Sequence, residues 1–332
     1  MAQTENNGGR LPILGTGGTI AGMAQSTADN LVYASAQVPV GDLLHSVPSL
    51  ADLLDGTLAV PEQVAQIDSK DMSFEVWERL ALRIRHHLQQ PDVRGLVVTH
   101  GTDTLEETAY FLQSVLSAAV LAAKPVVLTC AMRPANALAP DGPQNLLDAV
   151  AVALTAGACG VLVVCAGVVH GALDVQKTHT YRLDAFSSGE AGPCGYVEEG
   201  RFRQVKNWPV FESDGLNDDL LGKLAGRAIW PRVEIVMNYA GASGALVDAL
   251  LAPAAQTADP VRGLVVAGTG NGSLHHSLEA ALFRAQANGV RVVRATRCAM
   301  GRVLPVPLQR LPDSAGLSAV KARVALMLAL LA

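Results

Sequence analysis

A chain of 332 residues, half of them hydrophobic and 17% charged, has the length and composition to bury a core and excludes a disordered protein. A net charge of -5 with only 4% aromatic residues excludes a nucleic-acid or anionic-membrane surface as its main partner. The five cysteines, Cys130, Cys159, Cys165, Cys194 and Cys298, have no metal-ligand spacing; Cys130, Cys159 and Cys165 sit in or beside apolar runs and read as small buried hydrophobes, a pattern that fits a reducing compartment.

The opening MAQTENNGGR carries no apolar h-region, so a cytoplasmic location is expected, or a periplasmic one if a signal was removed. RLPILGT (10–16) then reads as a strand and GDLLHSVPSL (41–50) as a short helix. SFEVWERLALRIRHHLQQ (73–90) has the three-and-four apolar spacing of an amphipathic helix. RGLVVTHGTDT (94–104) reads as strand and turn, and residues 104–120 as a helix. KPVVLTCAMRP (124–134) is the next strand and turn, followed by a helix over 142–157 and a strand over GVLVVCAGVVHG (160–171).

Val-rich runs alternating with helices predict a large, mainly parallel sheet flanked by helices. The pattern breaks over 206–227, which is expected to link an N-terminal α/β domain (1–205) to a smaller C-terminal α/β domain (228–332). In the second domain RVEIVMNYA, RGLVVAGTGNGS and VRVVRAT read as strands, and SLHHSLEAALFRAQANG and SAVKARVALMLALLA as helices. The apolar C-terminal run, VALMLALLA, is too short to span a bilayer, and a soluble protein is expected.

In open α/β sheets ligands bind beyond the carboxyl ends of the strands. Four such ends carry polar residues: GTGGT (15–19), HGTD (100–103), AMRP (131–134) and GTGNGS (268–273). The first is not a dinucleotide turn, because Ile20 stands where a third glycine is needed and the segment GMAQSTADN that follows reads as a loop instead of a helix. No Gly-Lys-Ser/Thr occurs for a phosphate loop either. Glycines around Thr19 instead let a carbonyl approach its hydroxyl and free backbone N–H groups for an oxyanion. HGTDT adds a second hydroxyl, Thr102, beside Asp103 at a helix start, although Asp103 with Glu106 also makes a capping box. The histidine pairs 86–87 and 275–276 read as solvated or capping residues, so no metal and no cofactor are expected.

Taken together, TGGTIAG, HGTDTLEETAYFL, KPVVLTCAMRP, DGPQNLLDAV, VQKTHT, GTGNGSL and KARVALMLAL, in that order, resemble the bacterial-type L-asparaginases, the asparaginase/glutaminase family. The resemblance implies hydrolysis of the side-chain amide of L-asparagine, with possible use of L-glutamine, through a threonine acyl-enzyme. By that likeness Thr19 is the nucleophile, and Tyr33 sits on a lid formed by residues 23–32. Thr102, Asp103 and Lys177 form a second catalytic set. Gly18 and Gly101 line the site, with Gly18 and Thr102 as oxyanion donors. Ser69 and Asp103 hold the substrate's α-carboxylate and α-ammonium, and the carbonyl of Ala131 receives its amide. Ser273 matches a position that reaches a neighbouring subunit's site in a homotetramer, whose sites lie between subunits. Two departures stand out. Lys70 replaces a common glutamine and is expected to influence which amide is preferred, and no residue matches the glutamate that many members lend from a neighbour. The alternatives are hydrolysis of a different amide, a non-catalytic sensor of amino-acid amides or, least favoured, a nicotinamide-dependent enzyme.

Overall fold

The computed structural model describes residues 8–209, 217–224, 230–252, 259–307 and 309–331. The chain divides into two compact units, the first ending at Leu221 and the second starting at Gly222. Much of the expected 206–227 linker lies outside the described residues, and within it Asn217–Leu224 forms a helix, α7.

The first unit contains twelve strands among the described residues. They are β1 (Arg10–Gly17), β2 (Met23–Ala24), β3 (Tyr33–Ala34), β4 (Leu58–Ile67), β5 (Leu96–Thr99), β6 (Val126–Thr129), β7 (Val161–Cys165), β8 (Val168–Gly171), β9 (Gln176–Lys177), β10 (Phe186–Ser187), β11 (Gly195–Glu198) and β12 (Arg201–Gln204). Eight form one sheet in the order β12-β11-β8-β7-β6-β5-β1-β4. The five strands from β7 to β4 run parallel, and β8, β11 and β12 extend the sheet in antiparallel pairs. Every residue of β5, β6 and β7 is buried, as expected where helices cover both faces of a parallel sheet.

Its helices are α1 (Val40–His45), α2 (Leu50–Leu54), α3 (Phe74–Leu88), α4 (Leu105–Val115), α5 (Ala118–Ala123) and α6 (Gly142–Leu154). The hydroxyl of Ser73 caps α3, and Val76, Leu80, Ile84 and Leu88 recur at helical spacing on its buried face. Trp77 stacks on Phe111 of α4 at 4.8 Å.

Several elements differ from the sequence reading, among them three in the first unit. β4 has no counterpart in that reading: it is an edge strand in which only Val64 and Ala65 are buried, and an edge accommodates its Pro61. The run 160–171 is two strands, because Ala166 and Gly167 take positive φ and reverse the chain. The helix expected over 104–120 breaks at Leu116, whose backbone is extended, into α4 and α5.

In the second unit β13 (Arg232–Met237), β14 (Val261–Gly268) and β15 (Arg291–Thr296) form a parallel sheet in that order. With α8 (Ala245–Leu251), α9 (His276–Ala287) and α10 (Ala319–Ala329) it encloses a core that includes Val247, Leu264, Leu282 and Val292. Among the described residues no helix is long and apolar enough to cross a membrane.

Candidate active site

The two hydroxyl-bearing turns leave adjacent parallel strands at the same edge, since β1 pairs with β5 with Gly15 opposite Thr99. Gly17 and Gly18 hold φ of 103° and 81°, which turns the chain sharply after β1. A Cβ on Gly18 would overlap the Cα of Gly101, and one on Gly101 would overlap the hydroxyl of Ser69. Thr19 and Thr102 therefore each follow one member of a touching glycine pair. Of the two threonines in the first turn, Thr16 is committed to the fold: its hydroxyl donates to the Thr99 carbonyl at 3.0 Å.

One expectation for this turn is corrected. The Gly18 N–H donates to the Ile67 carbonyl at 2.8 Å and is not available to an oxyanion. Gly18 contributes close approach instead. The Thr102 N–H has no acceptor among the described residues and remains open.

Thr19 is buried and opens one 3-10 turn, Thr19–Ala21. Its Oγ1 lies 2.7 Å from the Tyr33 hydroxyl. The segment read as an irregular lid is a small hairpin: β2 and β3 pair antiparallel, Met23 with Ala34 and Ala24 with Tyr33. At its far end the Asp29 carboxylate accepts the N–H groups of Leu31 and Val32 at 2.9 and 2.8 Å.

Lys177, on β9 opposite Phe186 of β10, donates from Nζ to Thr102 Oγ1 at 2.7 Å and to Asp103 Oδ1 at 2.6 Å. Its side chain is 18% exposed and that of Asp103 52%, so the charge-assisted bond to Asp103 remains open to water on one side. The capping role weighed for Asp103 is not adopted: Thr104 is the N-cap of α4 and makes no side-chain cap bond, while the Asp103 carboxylate turns to Lys177.

Ser69, also buried, accepts the Asp103 N–H at Oγ over 3.1 Å, and its carbonyl takes the Thr104 hydroxyl at 2.8 Å. The turn after β4 is thereby fastened to the HGTDT turn. Lys70 is bonded within its own turn, though its charge is still felt at Asp103. Its ammonium lies 2.7 Å from Asp68 and 3.8 Å from Asp71, its side chain is 62% exposed, and the bond to Asp68 holds its pKa above the ordinary lysine value.

Ala131, fully buried after β6, is oriented by residues the sequence reading did not select. The Asp141 carboxylate accepts the N–H groups of Met132 and Arg133 at 2.9 and 3.0 Å. Asn145 donates to the Cys130 carbonyl at 2.9 Å and accepts the Ala166 N–H at 2.9 Å. Asp before Gly-Pro signals a helix start, and Asp141 does precede α6, but its side chain ties down the preceding turn instead of its own helix.

His100 is the other unselected residue. It is fully buried and its pKa is pushed down to about 4 by that burial. The neutral ring donates from Nδ1 to the Gly101 carbonyl at 2.7 Å and accepts the Thr108 hydroxyl at Nε2 over 2.9 Å. Trp77 in turn donates to Thr108 at 2.8 Å. This relay fixes the carbonyl next to Thr102, and no spacing rule picks it out of a strand-end sequence. His87, read as solvated, is buried and contacts Glu62 at 2.7 Å. His275 caps its helix, as one of the readings allowed.

Ser273 lies in the second unit, exposed in a tight turn whose backbone pairs reciprocally with Thr269 at 2.8 and 3.0 Å.

The described residues form a two-domain α/β protein whose first unit brings two threonine-bearing turns to adjoining strand ends. Residues 10–209 match the family model described as Asparaginase, N-terminal, and residues 232–332 match the Glutaminase/Asparaginase C-terminal domain. The chain belongs to the asparaginase family. It is 38% identical over 325 residues to L-asparaginase 2 of Bacillus subtilis (strain 168), covering 96% of this chain and 81% of that one. It is 35% identical over 304 residues to the glutaminase-asparaginase of Pseudomonas fluorescens biotype A, covering 90% and 78%. Among solved structures, a probable cytoplasmic L-asparaginase from Campylobacter jejuni matches with a TM-score of 0.86 at 37% identity, covering 97% of this chain and 95% of that one.

Proposed function

We propose that Thr19 attacks the side-chain carbonyl of L-asparagine, releasing ammonia and leaving an aspartyl ester that water converts to L-aspartate. The observation that carries this reading is the 2.7 Å contact between Thr19 Oγ1 and the Tyr33 hydroxyl, beside the Lys177–Thr102–Asp103 set. A threonine hydroxyl is a weak nucleophile until its proton has somewhere to go. In the first step the Oγ1–carbon bond forms and the carbon–nitrogen bond breaks. The threonine proton passes to the Tyr33 oxygen while Tyr33 gives its own to the departing nitrogen.

The open Thr102 N–H stabilises the oxyanion, a role in which one donor contributes about 2.7–4 kcal/mol. In the second step water attacks the ester carbon and the Oγ1–carbon bond breaks; the water proton passes through Tyr33 to Thr19 Oγ1, and the Thr102–Lys177–Asp103 set is assigned to hold and polarise the water. Ser69 accepts the Asp103 N–H and so keeps its own proton for the substrate α-carboxylate. Asp103 engages Lys177 through Oδ1, leaving Oδ2 for the α-ammonium. The carbonyl of Ala131, held by its anchored turn, receives the substrate amide. The scheme uses no metal or cofactor.

Lys70 is turned onto Asp68 and Asp71, which offset its charge, although that charge still acts on Asp103; an ordinary amino-acid amide is the substrate class preferred here. Activity on L-glutamine belongs to the same reading, as does a homotetramer in which Ser273 reaches a neighbour's site. Light scattering tests the assembly. A cytoplasmic compartment, the one named for the Campylobacter jejuni relative, is tested by cell fractionation.

The decisive assay follows ammonia release from L-asparagine, L-glutamine, D-asparagine and small peptides. The wild type is expected to turn over L-asparagine, and folded Thr19→Ala to lose roughly 10³-fold or more of that rate. A wild type that binds asparagine without releasing ammonia would instead be a sensor. Near-wild-type turnover by Thr19→Ala would remove the nucleophile assignment.

A further inference from the structure

The hairpin that carries Tyr33 is held by a side chain on a different segment, the stretch between β6 and α6. Asn136 donates from Nδ2 to the Ala24 carbonyl at 2.7 Å and accepts the Ala24 N–H at Oδ1 over 2.8 Å. One carboxamide thus satisfies both polar groups of a single strand residue, standing where a third strand would pair. Ala24 is the residue opposite Tyr33 in the β2–β3 pair. The same stretch adds two backbone bonds along the hairpin, from the Ala135 N–H to the Gly22 carbonyl and from the Leu138 N–H to the Thr27 carbonyl, both at 2.8 Å.

That stretch is itself immobilised. The Asp141 carboxylate grips Met132 and Arg133 at its start, and the Arg133 guanidinium closes it onto the Ala139 carbonyl at 2.9 Å. Ala131, at the head of the stretch, is fully buried beside the end of β6. The chain of support runs from the sheet through residues 131–141 to Asn136, then through the Ala24–Tyr33 pair to the hydroxyl on Thr19. The tip of the hairpin, by contrast, is solvent-facing, with Leu31 75% and Val32 73% exposed, and buries little apolar surface to hold itself shut.

We propose that Asn136 is a positioning residue for the reaction: its carboxamide latches the β2–β3 hairpin so that Tyr33 stays on Thr19. The proposal rests on the reading of Thr19 and Tyr33 as the acylating pair. Aspartate at 136 keeps the shape but replaces the donating amide with a second acceptor facing the Ala24 carbonyl, so shape and hydrogen bonding separate cleanly.

Ammonia release by Asn136→Ala and Asn136→Asp is measured beside the wild type, Tyr33→Phe and the two double variants. Because Asn136→Ala removes both hydrogen bonds to Ala24 and Asn136→Asp turns one of them into a repulsion, kcat is expected to fall roughly tenfold in both with Tyr33 present. It should fall less than about twofold further in the Tyr33→Phe background, since a latch acts only through the group it positions. Equal losses in both backgrounds, or no loss in Asn136→Asp, would overturn the proposal. Limited proteolysis reads the latch without any turnover: chymotrypsin is expected to cut after Leu31 faster in both Asn136 variants than in the wild type, and unchanged cutting would also overturn it. If the wild type released no ammonia, the catalytic reading would fail while the proteolysis still decided the latch.

Discussion

Lys177 serves two oxygens at once, Thr102 Oγ1 and Asp103 Oδ1, so Lys177→Met removes both charge-assisted bonds and leaves the carboxylate without its cation. The variant is expected to lose about 10²–10³-fold in kcat for asparagine with a smaller change in thermal stability, because Asp103 is half exposed and can rehydrate. Steady-state kinetics beside a melting curve checks this; an unchanged kcat would remove Lys177 from the mechanism. His100 makes a prediction about stability. Above an ordinary histidine pKa of 6.5 the folded and unfolded chains are both neutral there, and the stability is fully present. As the pH falls toward the folded-state value of about 4, the unfolded chain takes up a proton that the buried ring refuses, and stability is lost. At about 1.36 kcal/mol per pH unit, the loss reaches about 2–3 kcal/mol by pH ~4.5. Denaturant unfolding at pH 7 and 4.5 should show a drop in the wild type that shrinks by this amount in His100→Gln. An equal drop in both proteins would contradict it. The Glu62 carboxyl, held down to about 2 chiefly by its bond to Arg83, responds in a lower window, between its ordinary 4.5 and about 2.

The turn after β1 and the turn after β5 can meet only because neither has a Cβ at the point of contact. Gly18→Ala places a methyl group into the Gly101 backbone at a φ of 81°. Gly157→Ala meets a similar φ of 77° but open space. The second variant is expected to cost about 1 kcal/mol from backbone strain alone. Gly18→Ala should cost more and abolish turnover, since Thr19 and Thr102 are forced apart. Melting temperatures and ammonia release of the pair test this; equal behaviour would mean that the glycine contact does not set the site. The glycines, threonines and Asp103 are legible in the sequence because they lie in short runs beside Val-rich strands. What was not legible arises across distance. The Gly18 N–H is consumed by Ile67, more than forty residues away in sequence, and Asn136 finds Ala24 only once β6 and β1 lie in one sheet. β4 escaped for another reason, since its Pro61 and half-exposed face lack the signal of a buried strand.

Across the whole molecule, the alternation of apolar strands and amphipathic helices was enough to anticipate a large and a small α/β unit, each with its own buried core. It did not anticipate the antiparallel extension through β8, β11 and β12, because β8 follows a chain reversal hidden inside one apolar run and the short β11 and β12 include exposed positions whose pairing is set by tertiary contact. The central claim concerns one bond formed by this molecule, an ester on Thr19. The most direct test is to quench the protein with acid during turnover of L-asparagine and map its peptides by mass spectrometry. A peptide containing Thr19 should carry the mass of an aspartyl group, and that adduct should be missing from Thr19→Ala. Turnover with the adduct on a different residue, or the same adduct and rate in Thr19→Ala, would contradict the account.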